Sequence, residues 1–307
     1  MKSLLVATLI AGLALLAPVP ASASAQVSVF ACEPEWASLA EEIGGEMVET
    51  FAATNARQDP HYIRARPSLV AKMRKADLVV CSGGGLEAGW LPQLFQKAGN
   101  AKAQPGGNGY LMAADVVPVL EKSAALDRSM GDVHPEGNPH VHLNPHNILL
   151  VAKELSSRLK ALDPANTAYY QKRYEEFSRH WQQAIGRWEN QAAGLKGKGI
   201  ITHHKAWSYL INWLGLNLVN TLEPKPGIPP STRHLEDLLQ QVRKVPVLAI
   251  VRTPYAPGEA SEWLSEKSGV PAVVLPYTVG GEAGITDLFL LFERTLGRLR
   301  ETADAQR

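Results

Sequence analysis

The feature that most constrains the fold is an alternation of short apolar segments with amphipathic ones, which occurs twice along the chain. In the first half, VSVFA and ADLVVC read as buried strands, and helical patterns follow them. In the second half, GIIT, VPVLAIV and PAVVLP are the corresponding strand segments. Strands that alternate with helices form parallel sheets covered on both faces. The sequence therefore predicts an α/β protein with a parallel sheet in each half.

A purely helical stretch, residues 147–193, separates the two halves. Its second helix, predicted over residues 165–193, would be ~43 Å long at 1.5 Å per residue. Large apolar side chains recur along it at intervals of three and four, which indicates one packing face. These residues are Tyr170, Tyr174, Phe177, Trp181, Ile185 and Trp188. We expect this helix to join two lobes formed by residues 26–146 and 194–307.

Residues 1–25 have the pattern of a secretory signal peptide. A lysine precedes an apolar run over residues 4–16, and Ala23, Ser24 and Ala25 form an A-x-A cleavage site. The run is shorter than the ~20 residues that a membrane-spanning helix needs. A lipoprotein cysteine would follow the apolar run directly, whereas Cys32 lies further on. We therefore predict an exported, periplasmic protein without a lipid anchor.

Charge and cysteine content narrow the possible partners. The 31 basic and 30 acidic side chains nearly cancel, which argues against a nucleic-acid partner. Two cysteines are too few for a disulfide scaffold or a Cys-built zinc ribbon. Cys32 and Cys81 each end a predicted strand, and in an oxidising compartment such a pair tends to form a disulfide. Two buried free thiols are the alternative.

Histidines lie in three predicted loops. His61 lies in QDPHYIRARP, His140 in GNPHVHLNPHN, and His203 and His204 directly follow GIIT. Parallel α/β sheets bind ligands beyond the carboxyl ends of their strands, where such loops meet. Imidazole is also a common zinc ligand. The positions are too far apart for a compact metal-binding motif, so a solvated histidine, a His-rich polar loop or a helix start remains the alternative at each one.

Seven motifs occur in order along the chain: CEPEWASLAEEIGG, QDPHYIRARPSL, ADLVVCSGGGLEAGW, GNPHVHLNP, LDPANTAYYQKRY, HHKAWSYLINWLGL and SGVPAVVLP. Through these motifs the chain resembles the zinc- or manganese-specific substrate-binding proteins of bacterial metal ABC importers, particularly the zinc-uptake branch. The motifs extend over essentially the whole chain after residue 25. The resemblance implies two α/β lobes bridged by one long helix, with a metal ion held in the cleft between the lobes.

The resemblance also implies the metal ligands, position by position. The family's Asp-Pro-His loop corresponds to His61, and its His-x-Ala-aromatic motif corresponds to His204, with His203 as the second choice. A further ligand, in the pattern Asp-Pro-His-x-x-x-Asp-Pro, corresponds to His140, although asparagine stands at both aspartate positions here.

The fourth ligand is where the chain departs from the family pattern. Family members often supply a carboxylate from the loop after the last core strand, and Pro276 or Tyr277 stands near that position here. Three neutral imidazoles leave the charge of a divalent cation uncompensated, so a carboxylate or a bound hydroxide would help. The candidate carboxylates are Glu282 and Asp287 nearby, and Glu33, Glu35 and Asp59 on the other lobe.

Three imidazoles favour Zn²⁺ over Mn²⁺, which prefers oxygen-rich sites. We therefore predict a monomer that binds Zn²⁺ in the periplasm and delivers it to the permease of a metal ABC importer. A periplasmic metallochaperone is a further candidate partner. His134, His142 and His146 are predicted to form an accessory loop that collects metal at low affinity and passes it to the main site.

Two other functions fit parts of this pattern. Three histidines with an open fourth position also describe the catalytic zinc of an exported zinc-dependent hydrolase. The sequence contains neither an HExxH motif nor a Gly-x-Ser-x-Gly motif, so we expect no enzyme. An adhesin, or a carrier of an organic ligand, could use the same scaffold.

Overall fold

Two four-stranded parallel sheets form the centres of two lobes. The computed structural model describes residues 26–122 and 134–307, so the predicted signal peptide lies outside the described residues. The first sheet has the order β2-β1-β3-β4, formed by β1 (Val27–Ala31), β2 (Val48–Ala52), β3 (Leu78–Cys81) and β4 (Tyr110–Met112). The second has the order β6-β5-β7-β8, formed by β5 (Gly199–Thr202), β6 (Asn217–Thr221), β7 (Val247–Arg252) and β8 (Ala272–Val274). The predicted α/β class with two lobes is confirmed.

Helices connect the strands and cover the sheets. They are α1 (Pro34–Gly44), α2 (Pro67–Lys75), α3 (Leu91–Ala98), α4 (Pro145–Leu162), α5 (Thr167–Ala192), α6 (Ser208–Leu214), α7 (Thr232–Val242), α8 (Glu259–Ser268) and α9 (Leu288–Asp304). Proline stands in the first turn of each of the first four, where its fixed φ suits the helix and no amide donor is lost. The central strands β1, β3, β5 and β7 are buried almost throughout, because helices lie on both faces.

The sequence-based prediction differs from the structure at two places in the first lobe. The helical pattern expected after ADLVVC becomes a helix only at Leu91, because the Glu87 side chain folds back onto the backbone amides of Ser82 and Gly83 and holds the intervening residues in turns. Strand β4 was not predicted, since it has only three residues and follows a glycine-rich segment.

The strand orders determine where a ligand can bind. β1 pairs with both β2 and β3, and β5 pairs with both β6 and β7, all in parallel. In each sheet the chain first runs from the central strand to the neighbour on one side (β1 to β2, β5 to β6) and then crosses to the neighbour on the other side (β3, β7). A crevice forms at such a reversal, beyond the carboxyl ends of the strands. The loops after β2 and β5 carry His61 and His204 to these edges.

Cys32 and Cys81 are joined in a disulfide. Parallel pairing puts Ala31 of β1 opposite Val80 of β3, so the next residue of each strand lies beside its neighbour at the carboxyl edge. The bond encloses a separation of 49 residues. A cross-link of this length stabilises a fold by about 4 kcal/mol, mainly by restricting the unfolded chain.

The long helix α5 packs against both lobes through one face. On the side of the first lobe, Arg173 Nε donates to the carbonyl oxygen of Glu42 at 2.9 Å, just inside the end of α1. On the side of the second lobe, the Trp181 ring lies 4.7 Å from Phe289 and 5.5 Å from Phe292 of α9, between ring centroids. The predicted packing face is therefore the surface that joins the lobes. No helix among the described residues is long and apolar enough to cross a membrane.

We expect Trp181→Ala to lower the free energy of unfolding by about 3–5 kcal/mol, because it removes a fully buried aromatic side chain. It also removes the hydrogen bond from Trp181 Nε1 to the carbonyl oxygen of Pro145, 2.8 Å long. Urea denaturation of the metal-free protein measures the change. His180→Ala, on the exposed side of the same helix, is the control and should change it by less than about 0.5 kcal/mol. Equal effects of the two variants would contradict the role given to this face.

Candidate metal centre

Three histidines from distant parts of the chain meet in the crevice between the lobes. One ligand atom from each of His61, His140 and His204 lies within 4.8 Å of the other two. The ring centroids form a nearly equilateral triangle, with sides of 5.6, 5.6 and 5.7 Å. Among the described histidines, cysteines and carboxylates, this group consists of the three imidazoles and includes no carboxylate or thiol.

Each of the three rings is fixed by a partner on its Nδ1 atom. His61 Nδ1 lies 2.7 Å from Asp59 Oδ1, and His204 Nδ1 lies 2.6 Å from Glu223 Oε2. His140 Nδ1 lies 2.6 Å from the hydroxyl oxygen of Tyr277. A carboxylate only accepts, so the protons of His61 and His204 are on Nδ1 and each ring presents its lone pair at Nε2, where a cation can bind.

The Nε2 atom of His140 gives the clearest indication that the three histidines bind a cation. It is buried and has no hydrogen-bond partner, although such atoms are nearly always paired. Burial holds the pKa of His140 well below its usual value, and the neighbouring imidazoles lower it further. The ring is therefore neutral at pH 7, which is the form that binds a divalent metal ion. An ion at the centre of the triangle would satisfy this nitrogen.

Local hydrogen bonds hold the loops that carry the rings. Trp90 Nε1 donates to the carbonyl oxygen of Pro60 at 2.9 Å, which anchors the loop of His61. The amide of His140 donates to Asn138 Oδ1 at 3.0 Å, and Asn138 Nδ2 donates to the carbonyl oxygen of Lys205 at 2.9 Å. Asn138 is one of the two asparagines at the family's aspartate positions, and here it ties the segment of His140 to that of His204.

The fourth-ligand candidates that lie near the site in sequence have other partners. Glu282 pairs with Arg298, at 2.7 Å, and with Arg294, at 3.6 Å. Asp287 caps α9 by accepting from the amide of Leu290 at 2.8 Å. The structure therefore brings neither carboxylate to the three histidines.

The remaining candidates are not part of the triangle. Asp59 backs the ring of His61, and the second-choice histidine, His203, lies 3.7 Å from Glu223 Oε1 on the far side of that carboxylate. Glu33 and Glu35 are fully enclosed behind the site, where Glu35 lies 3.3 Å from His142 Nδ1.

The prediction that His134, His142 and His146 form one accessory loop was wrong. His142 is buried between the lobes, where its Nε2 donates to the carbonyl oxygen of Tyr277 at 2.9 Å. His146 lies in α4 and pairs with Glu189 at 2.9 Å on the surface. Only His134 reaches the cluster. Nearness in sequence does not fix direction: the 3₁₀ turn Val141–Leu143 rotates each successive side chain by about 120°, so His142 and His140 point to different sides.

Two residues that orient the site histidines were not identified in that role from the sequence. Glu223 follows β6, in a segment without a motif, and accepts both from His204 and from the amide of Gly227 at 2.9 Å. Tyr277 was noted only as a departure from the family pattern, whereas its hydroxyl group orients His140. A search for acidic residues directly after predicted strands would have found Glu223.

A pair of buried carboxyl groups lies behind the site, next to the disulfide. Glu33 and Glu87 both accept from the amide of Ser82, at 3.3 Å to Glu33 Oε2 and 2.8 Å to Glu87 Oε1. Burial raises the pKa of Glu87 to about 7 and raises that of Glu33 well above its usual range. The pair therefore holds at least one proton under mildly acidic conditions.

We expect Glu87→Gln to remove part of the pH dependence of stability. A carboxyl group whose pKa is raised from 4.5 to about 7 on folding stabilises the folded state below pH 4.5, and this contribution is lost as the pH rises through about 7. Relative to the variant, the metal-free protein should thus lose on the order of 1–3 kcal/mol across this window. Urea denaturation at stepped pH measures it, with exposed Glu49→Gln as the control. A constant difference at all pH values would contradict the assignment.

Comparison with known proteins extends over most of the chain. The profile of the family described as zinc-uptake complex component A, periplasmic (ZnuA), matches residues 29–301. The manganese ABC transporter substrate-binding lipoprotein PsaA of Streptococcus pneumoniae is 25% identical over 264 residues, which cover 84% of this chain and 81% of PsaA. The iron ABC transporter substrate-binding lipoprotein MtsA of Streptococcus pyogenes serotype M1 is 22% identical over 253 residues, 81% of this chain and 78% of MtsA.

Among solved structures, a crystal structure of ZnuA shares the fold, with a TM-score of 0.75 at 20% identity over 91% of this chain and 98% of that one. The three-histidine cluster lies within the range of the family match. The chain therefore belongs to the zinc-uptake complex component A family, the substrate-binding proteins of metal ABC importers, which are not enzymes.

Proposed function

We propose that this protein binds Zn²⁺ between its lobes and delivers it to the membrane permease of a metal ABC importer. The Nε2 atoms of His61, His140 and His204 hold the ion. The buried, unpaired Nε2 of His140 is the observation that carries this proposal, because an ion at that point supplies the partner it lacks.

The choice of Zn²⁺ rests on the chemistry of the gathered atoms. Relatives are named for manganese or iron, so membership of the family leaves the metal open. Mn²⁺ prefers carboxylate, carbonyl and water oxygens, whereas imidazole suits Zn²⁺. The acidic groups beside the cluster are Asp59 and Glu223. Each accepts a hydrogen bond from a ring and would affect the ion through that ring. An all-nitrogen set therefore favours Zn²⁺.

The backing carboxylates compensate part of the charge of the ion. Burial raises the pKa of Asp59, but the side-chain and backbone hydrogen bonds from His61 outweigh this effect, so the pKa of Asp59 lies below the usual value and the group is ionised at neutral pH. Such an acceptor makes the imidazole a stronger donor to the metal. The carboxylate lies on the Nδ1 side of the ring, and its negative charge compensates part of the charge of the ion. This explains how neutral imidazoles can hold a divalent cation.

Export to the periplasm is part of the proposal and rests on the pattern of residues 1–25. The relatives named above are lipoproteins, and in this chain both cysteines are joined to each other. The absence of a lipid anchor, the monomeric state and loading by a metallochaperone stay predictions.

Metal titration tests the proposed cargo. We expect one Zn²⁺ per chain, bound more than about a hundredfold more tightly than Mn²⁺ or Fe²⁺ in competition with a chelator, since imidazole discriminates in this direction. His140→Ala should weaken zinc binding by at least a hundredfold, while His180→Ala, on the surface of α5, should leave it unchanged. Mn²⁺ binding that is as tight as Zn²⁺ binding, or tighter, would contradict the proposed zinc cargo.

We expect Glu223→Gln to weaken zinc binding by ten- to a hundredfold, because the neutral amide oxygen still orients His204 but no longer adds negative charge. Isothermal titration measures the affinity, and the melting temperature of the metal-free variant separates this effect from loss of folding. Glu236→Gln, exposed on α7, is the matched control. An unchanged affinity in Glu223→Gln would show that its charge does not act on the site.

A further inference from the structure

A fourth histidine, His134, lies against the cluster. Its Nε2 atom is 3.2 Å from Nε2 of His61. Its ring centroid lies 5.3 Å from that of His61 and 6.4 Å from that of His140. The proposed three-histidine site does not use this contact.

The separation of the two Nε2 atoms fits two ligands of one ion. Zinc binds imidazole nitrogen at ~2.0–2.1 Å, so two corners of a zinc tetrahedron lie about 3.3 Å apart. His61 keeps its proton on Nδ1, toward Asp59, and therefore presents a lone pair at Nε2. In the metal-free protein His134 can donate an Nε2 proton to this lone pair. With the proton on its own Nδ1, it offers a second lone pair to the same cation.

The backbone around His134 holds its ring near this place. The amide of Gly137 donates to the carbonyl oxygen of His134 at 3.0 Å, which closes a turn with Pro135 at its second position, where proline is favoured. Gly137 has φ of 112°, and a side chain there would collide with Val119. The next residue, Asn138, is bonded to the segment of His204.

A glycine also makes room for the ring on its other side. A Cβ atom at Gly85, whose φ is 88°, would lie only 3.2 Å from His134 Nδ1. The glycine turn after β3 thus lets the imidazole lie close to the backbone with Nε2 toward the cleft.

We propose that His134 is the fourth zinc ligand, which makes the site a set of four imidazoles. This inference rests on the proposed zinc function and deepens it. His134 takes the place that a carboxylate holds in the family pattern, and it replaces the collecting role expected for it. Four protein ligands close the coordination sphere, as in structural zinc sites, and leave no open position for a reacting water.

Cobalt spectroscopy and X-ray absorption on the purified protein test this proposal. Zinc-loaded wild type should show four nitrogen ligands, and zinc-loaded His134→Ala three nitrogens and one oxygen. Added imidazole should shift the visible spectrum of Co²⁺-loaded His134→Ala toward that of wild type and leave wild type unchanged. Zinc affinity of the variant should fall at least tenfold. His146→Ala, which removes an exposed histidine of α4, should behave as wild type.

A second variant tests the same position through a new spectroscopic signal and not through a loss of zinc affinity. His134→Cys places a thiolate at the same position, and its Co²⁺ form should show a sulfur-to-cobalt charge-transfer band that His146→Cys lacks. Identical absorption spectra of wild type and His134→Ala at full metal occupancy, or no such band, would overturn the role of His134 while leaving the three-histidine site intact. Failure of wild type to bind zinc would instead overturn the proposed function and this inference together.

Discussion

The hydrogen bond on the Nδ1 atom of each site histidine is the constraint on which the centre depends. Asp59, Tyr277 and Glu223 fix the three rings, and each contributes from a different loop. A ring held at Nδ1 can rotate little, so its Nε2 lone pair has a fixed direction before any ion arrives. The side chains therefore lose their conformational entropy during folding and not when the ion binds. The ion binds to atoms that already face a common point.

The scaffold explains why these particular loops meet. The two sheets have the same strand order, and in each the loop after a sheet strand carries a histidine to the carboxyl edge. Tyr277, from the loop after β8, reaches across to His140, and its backbone carbonyl accepts from His142. Glu35 of α1 hydrogen-bonds to Thr278 and lies beside His142. The site is thus supported by polar contacts that themselves connect the lobes.

The fold could be predicted from local patterns, because buried parallel strands and amphipathic helices leave strong periodic signals. The central strands and the aromatic face around Trp181 are examples. The positions of His61, His140 and His204 came from resemblance to a family, since nothing in their spacing shows that they converge.

Other features depend on direction and packing, which sequence spacing does not encode. Glu223 is an isolated acid in a loop, and its role exists only because β6 lies beside β5. His142 stands two residues from His140 yet faces the interior between the lobes. The place of His134 follows from a turn and from glycines that leave room for its ring.

The helix α5 has a consequence for how an ion can leave. Its aromatic face is shared between the lobes, so a wide opening would expose several large apolar rings to water, at about 25 cal/mol for each Å². Exchange of ligands on the solvent-exposed side of the metal site avoids that cost. The side chain of His204 is 16% exposed against 8% for His61, and His140 is 1% exposed as a residue. Among these three histidines, a recipient that offers its own donor atoms would displace His204 first and His140 last.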